Sequence, residues 1–354
     1  MLIGIDANEA NVQNRVGSNQ YAFQILTQLS RLDKTNSYRI YLKTAPLPDL
    51  PSASLRWQYQ IVLPKFLWTQ WRLPLQLFFQ KPRPNLFLTL GHYAPRFSPV
   101  PSLVCIMDLA FLKFPQTFRR SDLWQLKLWT AYSAKQAKHI FAISQVTKND
   151  LVASYQIPEN KISVVYPGVD RLKATGKSPV KGKYLLYVGT LQPRKNLNAL
   201  IEVFCRPARS HLAGIKLVIA GKTGWLYQPR PLKNVQYLDF VPQTKLPSLI
   251  KASLGLVLPS LYEGFGIPVV QAMALGTPVL VSRNSSLPEI VADCGLYIEP
   301  PFGHEEIKQG IIQLLSLPKA AKQSQLIAAK QKSMNFSWKK SAQKILEVIN
   351  EFTF

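Results

Sequence analysis

The chain has 354 residues, of which 47% are hydrophobic and 18% charged, a composition that excludes a disordered protein and favours two globular domains. Its three cysteines, Cys105, Cys205 and Cys294, are far apart, which excludes a disulfide framework and indicates a reducing compartment such as the cytoplasm. The net charge of +24 favours an anionic partner, either nucleic acid, an acidic membrane leaflet or a phosphorylated substrate, although it also suits a merely soluble basic protein.

The first half of the chain predicts a parallel sheet. Short apolar runs typical of buried strands occupy residues 2–5, 38–42, 86–90, 103–107, 139–143 and 162–166. Amphipathic segments such as 19–32 and 120–137 lie between several of them and predict helices. Strands that alternate with helices predict a Rossmann-like α/β domain over residues 1–170.

The same alternation returns after a polar, basic stretch at 171–183 that predicts a linker. Strand candidates occupy 184–189, 215–221, 235–240, 254–259, 278–282 and 295–299. Helices fit 197–204, 245–252, 266–275, 304–316, 319–333 and 338–351. We therefore predict a second domain over 184–336 and a terminal helical segment over 337–354, with a ligand in the cleft at the carboxyl ends of the strands.

The stretch PSLYEGFGIPVVQAMALGTPV (259–279) predicts an anion site. Gly264 and Gly266 allow a tight turn and a close approach to a ligand, and Pro268 suits the first turn of a helix. Such a helix points free N–H groups and its positive dipole end toward a diphosphate, while Glu263 adds a carboxylate. The alternative is a plain strand-to-helix turn.

A second anion-suited element lies in YVGTLQPRKNLNALIEVF (187–204). Arg194 and Lys195 follow a strand end, where Arg can hold a phosphate oxygen bidentately and Lys supplies a point charge. The alternative is solvated surface charge. We expect replacement of Lys195 to lower turnover more than stability, because loss of a solvated lysine changes the free energy of unfolding little.

These stretches resemble the retaining glycosyltransferases of family four, the group 1 glycosyl transferases with the GT-B fold. The similarity extends to RVGSNQYA (15–22), MDLAFLKFPQTF (107–118), GVD (168–170), SSLPEIVADCGLYIEP (285–300) and FSWKKSAQKILEVI (336–349). It implies two Rossmann-like domains facing a cleft and a last helix that crosses back onto the first domain. It also implies transfer of a hexose, mannose or glucose, from a GDP, UDP or ADP sugar with retention, without a metal or other cofactor.

The resemblance assigns roles residue by residue. Glu263 faces the donor sugar, and Gly17 closes over the donor. Arg194 and Lys195 neutralise the leaving diphosphate. The other donor-binding positions are the turn residue Gly264, the backbone N–H groups of Phe265, Gly266 and Ile267, and the edge that reads the base, Phe240 and Val241. Ser286 and Glu289 spell a capping box and predict mainly a helix start.

Two positions depart from the family pattern. Gln271 stands where a second glutamate usually accepts hydrogen bonds from the ribose, which predicts a weaker grip on the ribose. Met107 stands where a histidine usually contacts the donor sugar, followed by Asp108, which orients a cation or caps the next turn. His92 follows a neighbouring strand and is our candidate for the missing imidazole, the alternative being a structural histidine.

The acceptor side resembles the family least. Residues 66–87 interleave aromatic side chains with cations, which fits a membrane-facing segment and a core helix equally. We expect a glycan or lipid-linked acceptor, with the protein cytoplasmic and peripheral at the inner face of an anionic membrane. The competing hypothesis is a nucleotide-sugar-binding homologue with little turnover. Nucleic acid is not an expected partner, because the chain carries no zinc-finger or RNP-type motif.

Overall fold

A computed structural model describes residues 1–169, 172–205 and 212–352. The chain divides into two compact units. Unit 1 comprises Met1–Leu112, Arg120–Gly168 and Ser337–Phe354, and unit 2 comprises Lys113–Arg119 and Val169–Phe336. Asp170 of the GVD motif and the first residue of the predicted linker lie outside the described residues. The domain limits drawn from the sequence stay a prediction.

Unit 1 is built on a parallel sheet with helices. Its strands are β1 (Leu2–Asp6), β2 (Ser37–Leu42), β3 (Trp57–Ile61), β4 (Leu86–Thr89), β5 (Ser102–Ile106), β6 (His139–Ala142) and β7 (Ile162–Val164). Their order across the sheet is β3-β2-β1-β4-β5-β6-β7. The helices that begin in this part of the chain are α1 (Gly17–Leu32), α2 (Leu73–Phe79), α3 (Ala110–Lys113), α4 (Arg120–Gln136) and α5 (Gln145–Tyr155).

Unit 2 repeats the arrangement. Its strands are β8 (Lys183–Val188), β9 (Ile215–Ala220), β10 (Val235–Tyr237), β11 (Leu256–Leu258), β12 (Val279–Ser282) and β13 (Leu296–Ile298), in the order β10-β9-β8-β11-β12-β13. Its helices are α6 (Leu197–Val203), α7 (Leu246–Lys251), α8 (Ile267–Leu275), α9 (Leu287–Val291), α10 (His304–Ser316) and α11 (Lys319–Ser333). The prediction of two parallel-sheet Rossmann-like domains is confirmed.

Two strands differ most from the sequence prediction. β3 was not predicted, because WQYQI alternates polar and apolar side chains at the sheet edge and is not an apolar run. β10 ends at Tyr237 and not at 240. Asp239 has φ of 51°, in the left-handed region, and such a residue cannot continue a strand. Phe240 and Val241 therefore lie in a loop.

The last helix, α12 (Trp338–Glu351), packs in unit 1 against α1. The rings of Tyr21 and Trp338 meet edge to face with centroids 5.8 Å apart, and Ser341 Oγ donates to the carbonyl of Tyr166 at 2.5 Å. A Cβ on Gly168 would lie 2.0 Å from the backbone nitrogen of Trp338. The glycine of the GVD motif is thus required by this close approach, and the predicted return of the chain to the first domain is confirmed.

A short segment of the first half belongs to unit 2. Residues 113–119 leave unit 1 between α3 and α4. The Phe118 ring lies 5.7 Å from that of Trp225, whose Nε1 donates to the carbonyl of Thr117 at 2.8 Å. The Phe114 ring lies 6.3 Å from that of Tyr262. The family-like stretch 107–118 therefore serves partly as packing for unit 2.

Candidate functional site

The candidate donor site lies where the strand order of unit 2 reverses. β8 and β11 are neighbours in the sheet, and the chain leaves them in opposite directions. Ligands of Rossmann-like sheets bind at this point, beside the carboxyl ends of the strands. The loop after β8 carries Arg194 and Lys195, and the loop after β11 carries Glu263.

Glu263 is the centre of this site. Its Oε1 accepts from Lys195 Nζ at 2.6 Å and from Ser260 Oγ at 2.7 Å, while Oε2 lies 3.9 Å from an Arg194 terminal nitrogen. That Arg194 nitrogen also donates to the carbonyl of Tyr262 at 2.8 Å. The structure thus brings together three residues predicted from the sequence, and adds Ser260, which directly follows the predicted strand and could have been found by its position at the strand end.

Lys195 is buried, and this corrects the sequence-based expectation of a solvated lysine. Only 8% of the residue is exposed. It closes a short 3-10 turn, Pro193–Lys195, after which Asn196 takes a left-handed conformation that starts α6. The ammonium lies in the interior, where Glu263 compensates its charge. Its predicted contact with a diphosphate stays a prediction.

Electrostatics keep Glu263 ionised in spite of its burial. Burial by itself raises the pKa of a carboxyl group. Here the cations of Lys195 and Arg194, with hydrogen bonds from Lys195 and Ser260, outweigh that effect and lower the pKa of Glu263 below its ordinary value. The site therefore holds a buried carboxylate with two cations beside it at neutral pH.

The start of α8 offers backbone N–H groups at the same place. Gly266 precedes the helix with φ of 104°, and a Cβ there would lie 3.0 Å from Leu287 Cδ2, so both conformation and space favour glycine. No side chain caps this helix start. Phe265, Gly266 and Ile267 lie where the uncapped amides and the positive dipole end of α8 attract an anion.

Two serines that lie just before α9 hold this turn by hydrogen bonds. Ser285 Oγ accepts from the backbone amide of Glu263 at 2.9 Å, and Ser286 Oγ donates to the carbonyls of Glu263 and Phe265. Ser286 precedes α9 as the predicted capping box requires, but its hydroxyl does not cap that helix. The capping-box interpretation of Ser286 is therefore wrong, because two carbonyls of the neighbouring glycine turn take its proton.

Gln271 lies inside α8 and is buried, with only 7% of the residue exposed. Its Nε2 lies 3.5 Å from Gln243 Oε1, on the loop that also carries Phe240 and Val241. The ring of Phe240 in turn lies 5.3 Å from Lys222 Nζ. The residues predicted to hold ribose and base thus belong to one neighbourhood of unit 2, and their contact with a nucleotide stays a prediction.

In unit 1 the strands that precede His92 and Met107 are neighbours. β4 and β5 pair in parallel, so both side chains follow the same edge of the sheet. Met107 is 7% exposed, and its carbonyl accepts from Thr147 Oγ1. His92 Nδ1 is shielded from solvent and has no hydrogen-bond partner. Burial lowers the pKa of His92, and the charge of Asp108 opposes that shift only in part. The imidazole is therefore neutral at pH 7.

Asp108 performs one of its two predicted roles. Its Oδ1 accepts from the backbone amide of Ala110 at 3.0 Å, which caps the turn before α3. Gly17 begins α1 with φ of 41°, and no atom lies within 4 Å of an added Cβ. Packing does not require this glycine, so its conformation is what matters there.

Two carboxylates that follow the same edge of the unit 1 sheet as His92 were not predicted from the sequence. Asp6 ends β1 and accepts from the backbone and side-chain nitrogens of Asn8. Burial raises its pKa to about 6 in spite of those hydrogen bonds. Glu9 accepts from Asn19 Nδ2 at 2.7 Å. The signal was available, because Asp6 ends the first strand at the position where the strand order of unit 1 reverses.

Comparison with known proteins places this geometry in a family. The model of Glycosyl transferases group 1 matches residues 169–333, and that of Glycosyltransferase Family 4 matches residues 20–171. The chain belongs to glycosyltransferase family 4. Its two parallel-sheet units have the GT-B fold, and the fold is similar to that of the Anabaena protein HepE, whose structure was determined with UDP and glucose. That structure superposes with a TM-score of 0.72 at 16% identity, over 99% of each chain.

Two of the curated relatives are O-antigen chain mannosyltransferases by name. The chain is 32% identical over 212 residues to O-antigen chain mannosyltransferase B of Escherichia coli, covering 54% of this chain and 56% of that protein. It is 26% identical over 242 residues to O-antigen chain mannosyltransferase RfbU of Salmonella typhimurium, covering 66% of each chain. The chain thus spans 56% and 66% of the lengths of these two relatives.

The Lys195–Glu263 pair predicts a pH-dependent stability. A carboxyl with a lowered folded pKa adds stability above its unfolded value, and this is lost as pH falls below about 4.5. Lys195→Met should lower the free energy of unfolding at pH 7 by about 3–5 kcal/mol, because it removes the closest cation from a buried carboxylate. Burial then raises the pKa of Glu263, so the variant should recover part of the loss on acidification.

Calorimetric unfolding from neutral pH to about pH 3, which covers the range below the ordinary pKa of a glutamate, checks both statements. The control is Lys251→Met, which removes an exposed lysine from α7 of the same unit. Equal effects of the two substitutions at pH 7, or parallel pH profiles for wild type and Lys195→Met, would contradict the buried ion pair.

Proposed function

We propose that the protein transfers a hexosyl residue from a nucleotide sugar to an acceptor, with retention at the anomeric carbon and without a metal ion. The observation that carries the proposal is the buried group of Glu263, Lys195 and Arg194 beside the uncapped start of α8. A carboxylate for sugar hydroxyls thus lies next to cations and backbone amides suited to a diphosphate.

The proposed chemistry follows from where charge develops. Cleavage of the bond from sugar to phosphate leaves positive charge on the sugar ring and negative charge on the diphosphate. Arg194 and the start of α8 stabilise the leaving group, and preorganised dipoles act most strongly where charge grows. Glu263 Oε2 accepts from a sugar hydroxyl, since Oε1 already accepts from Lys195 and Ser260. The acceptor attacks from the face that the diphosphate leaves, and the diphosphate oxygen takes its proton.

We propose mannose or glucose as the transferred sugar and GDP, UDP or ADP as its carrier. The names of the two O-antigen chain mannosyltransferases support mannose. The structure of HepE with UDP and glucose supports a uridine nucleotide and glucose. The proposed acceptor is a glycan or lipid-linked glycan at the cytoplasmic face of a membrane, and the names of the two O-antigen relatives support a glycan.

A second candidate function is nucleotide-sugar binding with little turnover. Two observations favour it. Gln271 replaces a charged acceptor, and Met107 has no group that can grip a sugar hydroxyl.

A donor panel tests the proposal and separates the two candidates. Wild-type protein is incubated with the mannose and glucose derivatives of GDP, UDP and ADP, with chelator present throughout, and release of nucleoside diphosphate is measured. We expect turnover of one donor and a loss of roughly 100-fold or more in Glu263→Gln, the scale of a lost transition-state contact. A donor that raises the melting temperature without turning over supports the second candidate. The absence of both effects refutes the two together.

Gln271→Glu should tighten binding of the bare nucleoside diphosphate by up to about tenfold, because a charge-assisted hydrogen bond to ribose replaces a neutral one. The fold should stay intact, since Gln243 can rotate its amide and donate to the new carboxylate. Isothermal calorimetry on both proteins measures the change, with Gln271→Leu as the variant that should bind more weakly than either. Unchanged or weaker binding by Gln271→Glu means that residue 271 does not hold the ribose.

His92→Ala should lower turnover by roughly 100-fold or more with little change in donor affinity. In the proposed site the neutral imidazole of His92 does the work of the histidine that the family usually has at position 107, where this chain has Met107. His92→Asn keeps a hydrogen-bonding side chain and should retain part of the activity. Steady-state kinetics with the best donor decide this. Near-normal turnover in His92→Ala would leave His92 with a structural role only.

A further inference from the structure

The segment around α2 has two apolar faces, and only one of them packs in the core. Residues 68–72 form a π-helical turn that continues directly into α2. The inner face holds Trp68, Leu73 and Leu77, which pack with Tyr41, Val62, Phe87 and Val100. Trp68 Nε1 also donates to the carbonyl of Val62 at 3.0 Å. The segment is therefore anchored to unit 1.

The outer face is a stripe of four large apolar side chains. Trp71, Leu75, Phe78 and Phe79 follow the i, i+4, i+7, i+8 spacing of one helical face. Their exposed fractions are 63%, 45%, 56% and 75%. Phe66, just before the helical turn, is 78% exposed. Contiguous apolar surface of this kind on a globular protein marks an interaction site.

The surroundings of the stripe carry charge of one sign. From residue 50 to residue 107 the sequence contains no Asp or Glu, and it contains six cations, Arg56, Lys65, Arg72, Lys81, Arg83 and Arg96. The Arg83 guanidinium lies 5.6 Å from the Phe78 ring centre and donates to the carbonyls of Leu77 and Phe78. Arg72 donates to the carbonyl of Leu63. Two of the cations are thus held beside the apolar side chains.

We propose that this outer face docks unit 1 on an anionic phospholipid membrane. Aromatic and aliphatic side chains enter the boundary of headgroups and acyl chains, and Lys65, Lys81 and the two arginines meet lipid phosphates. Both contributions are needed, because apolar insertion or a few charges alone give only marginal binding. No helix in the described residues is long and apolar enough to cross a membrane.

Charge distinguishes this occupant from a second copy of the chain. A symmetric dimer through the same face would place the same patch on both sides of the interface. Cations would then oppose cations with no carboxylate from residues 50–107 to compensate them. An anionic lipid surface supplies the missing charge. The inference is independent of the proposed donor chemistry, since none of the stripe residues belongs to the donor site.

Vesicle sedimentation without any nucleotide sugar tests the proposal. We expect wild-type protein to sediment with vesicles of phosphatidylcholine and phosphatidylglycerol in equal parts, far less with phosphatidylcholine alone, and less as salt rises. Trp71→Ser with Phe79→Ser should lower the partition coefficient at least about tenfold. The matched control is Trp124→Ser on α4, because Trp124 has the same 63% exposure as Trp71 but lies outside the stripe.

Charge is tested separately. Lys65→Glu with Lys81→Glu should lower binding to the anionic vesicles at least about tenfold, whereas Lys339→Glu with Lys344→Glu on α12 makes the same change in net charge and should have a much smaller effect. All variants should keep the wild-type circular dichroism and donor affinity, which shows that the fold and donor site are intact.

Three results would overturn the proposal. The first is equal partitioning of the stripe variant and Trp124→Ser. The second is a concentration-dependent wild-type dimer in sedimentation velocity that the stripe variant abolishes, which would make a second copy the occupant. The third is a stripe variant that no longer binds a single-stranded oligonucleotide but still binds vesicles as the wild type does.

Discussion

The donor-side unit depends on one buried ion pair. Lys195 and Glu263 stand 68 residues apart in the chain, on loops that leave two neighbouring strands, and their charged atoms lie 2.6 Å apart. Neither charge is tolerable in the interior alone, since burial of an unpaired ion costs several kcal/mol. The pair therefore requires both loops at once, and with them the glycine turn before α8 and the packing of α6.

The two units place their polar groups by the same rule. In each sheet the strand order reverses beside the first strand of the unit, and the loops from that strand and its neighbour carry the ionisable side chains. Unit 2 gathers a carboxylate with two cations there, which suits an anionic donor. Unit 1 has Asp6, Glu9 and a neutral His92 at its corresponding edge, groups that accept hydrogen bonds and protons. The difference in chemistry between the units comes from side chains and not from topology.

The helical segment 68–79 has one buried face and one exposed face. Its residues fit a core helix and a membrane-facing helix equally well, because apolar side chains occur on every side. In the structure both descriptions hold for different faces. Trp68, Leu73 and Leu77 are buried, whereas Trp71 and Phe79 are exposed. The buried face fixes the segment rigidly enough for the exposed one to serve as a surface.

Hydrophobic patterning along the chain predicts the two α/β units and most of their elements. Helices α10, α11 and α12 begin and end at the predicted residues. It also indicated Glu263, Arg194 and Lys195 as neighbours, since parallel strands end at one edge. Tertiary structure decided the rest. The polar edge strand β3, the burial of Lys195, the bond of Ser286 to another turn and the outward direction of Trp71 depend on contacts between distant segments, and local periodicity carries no record of those contacts.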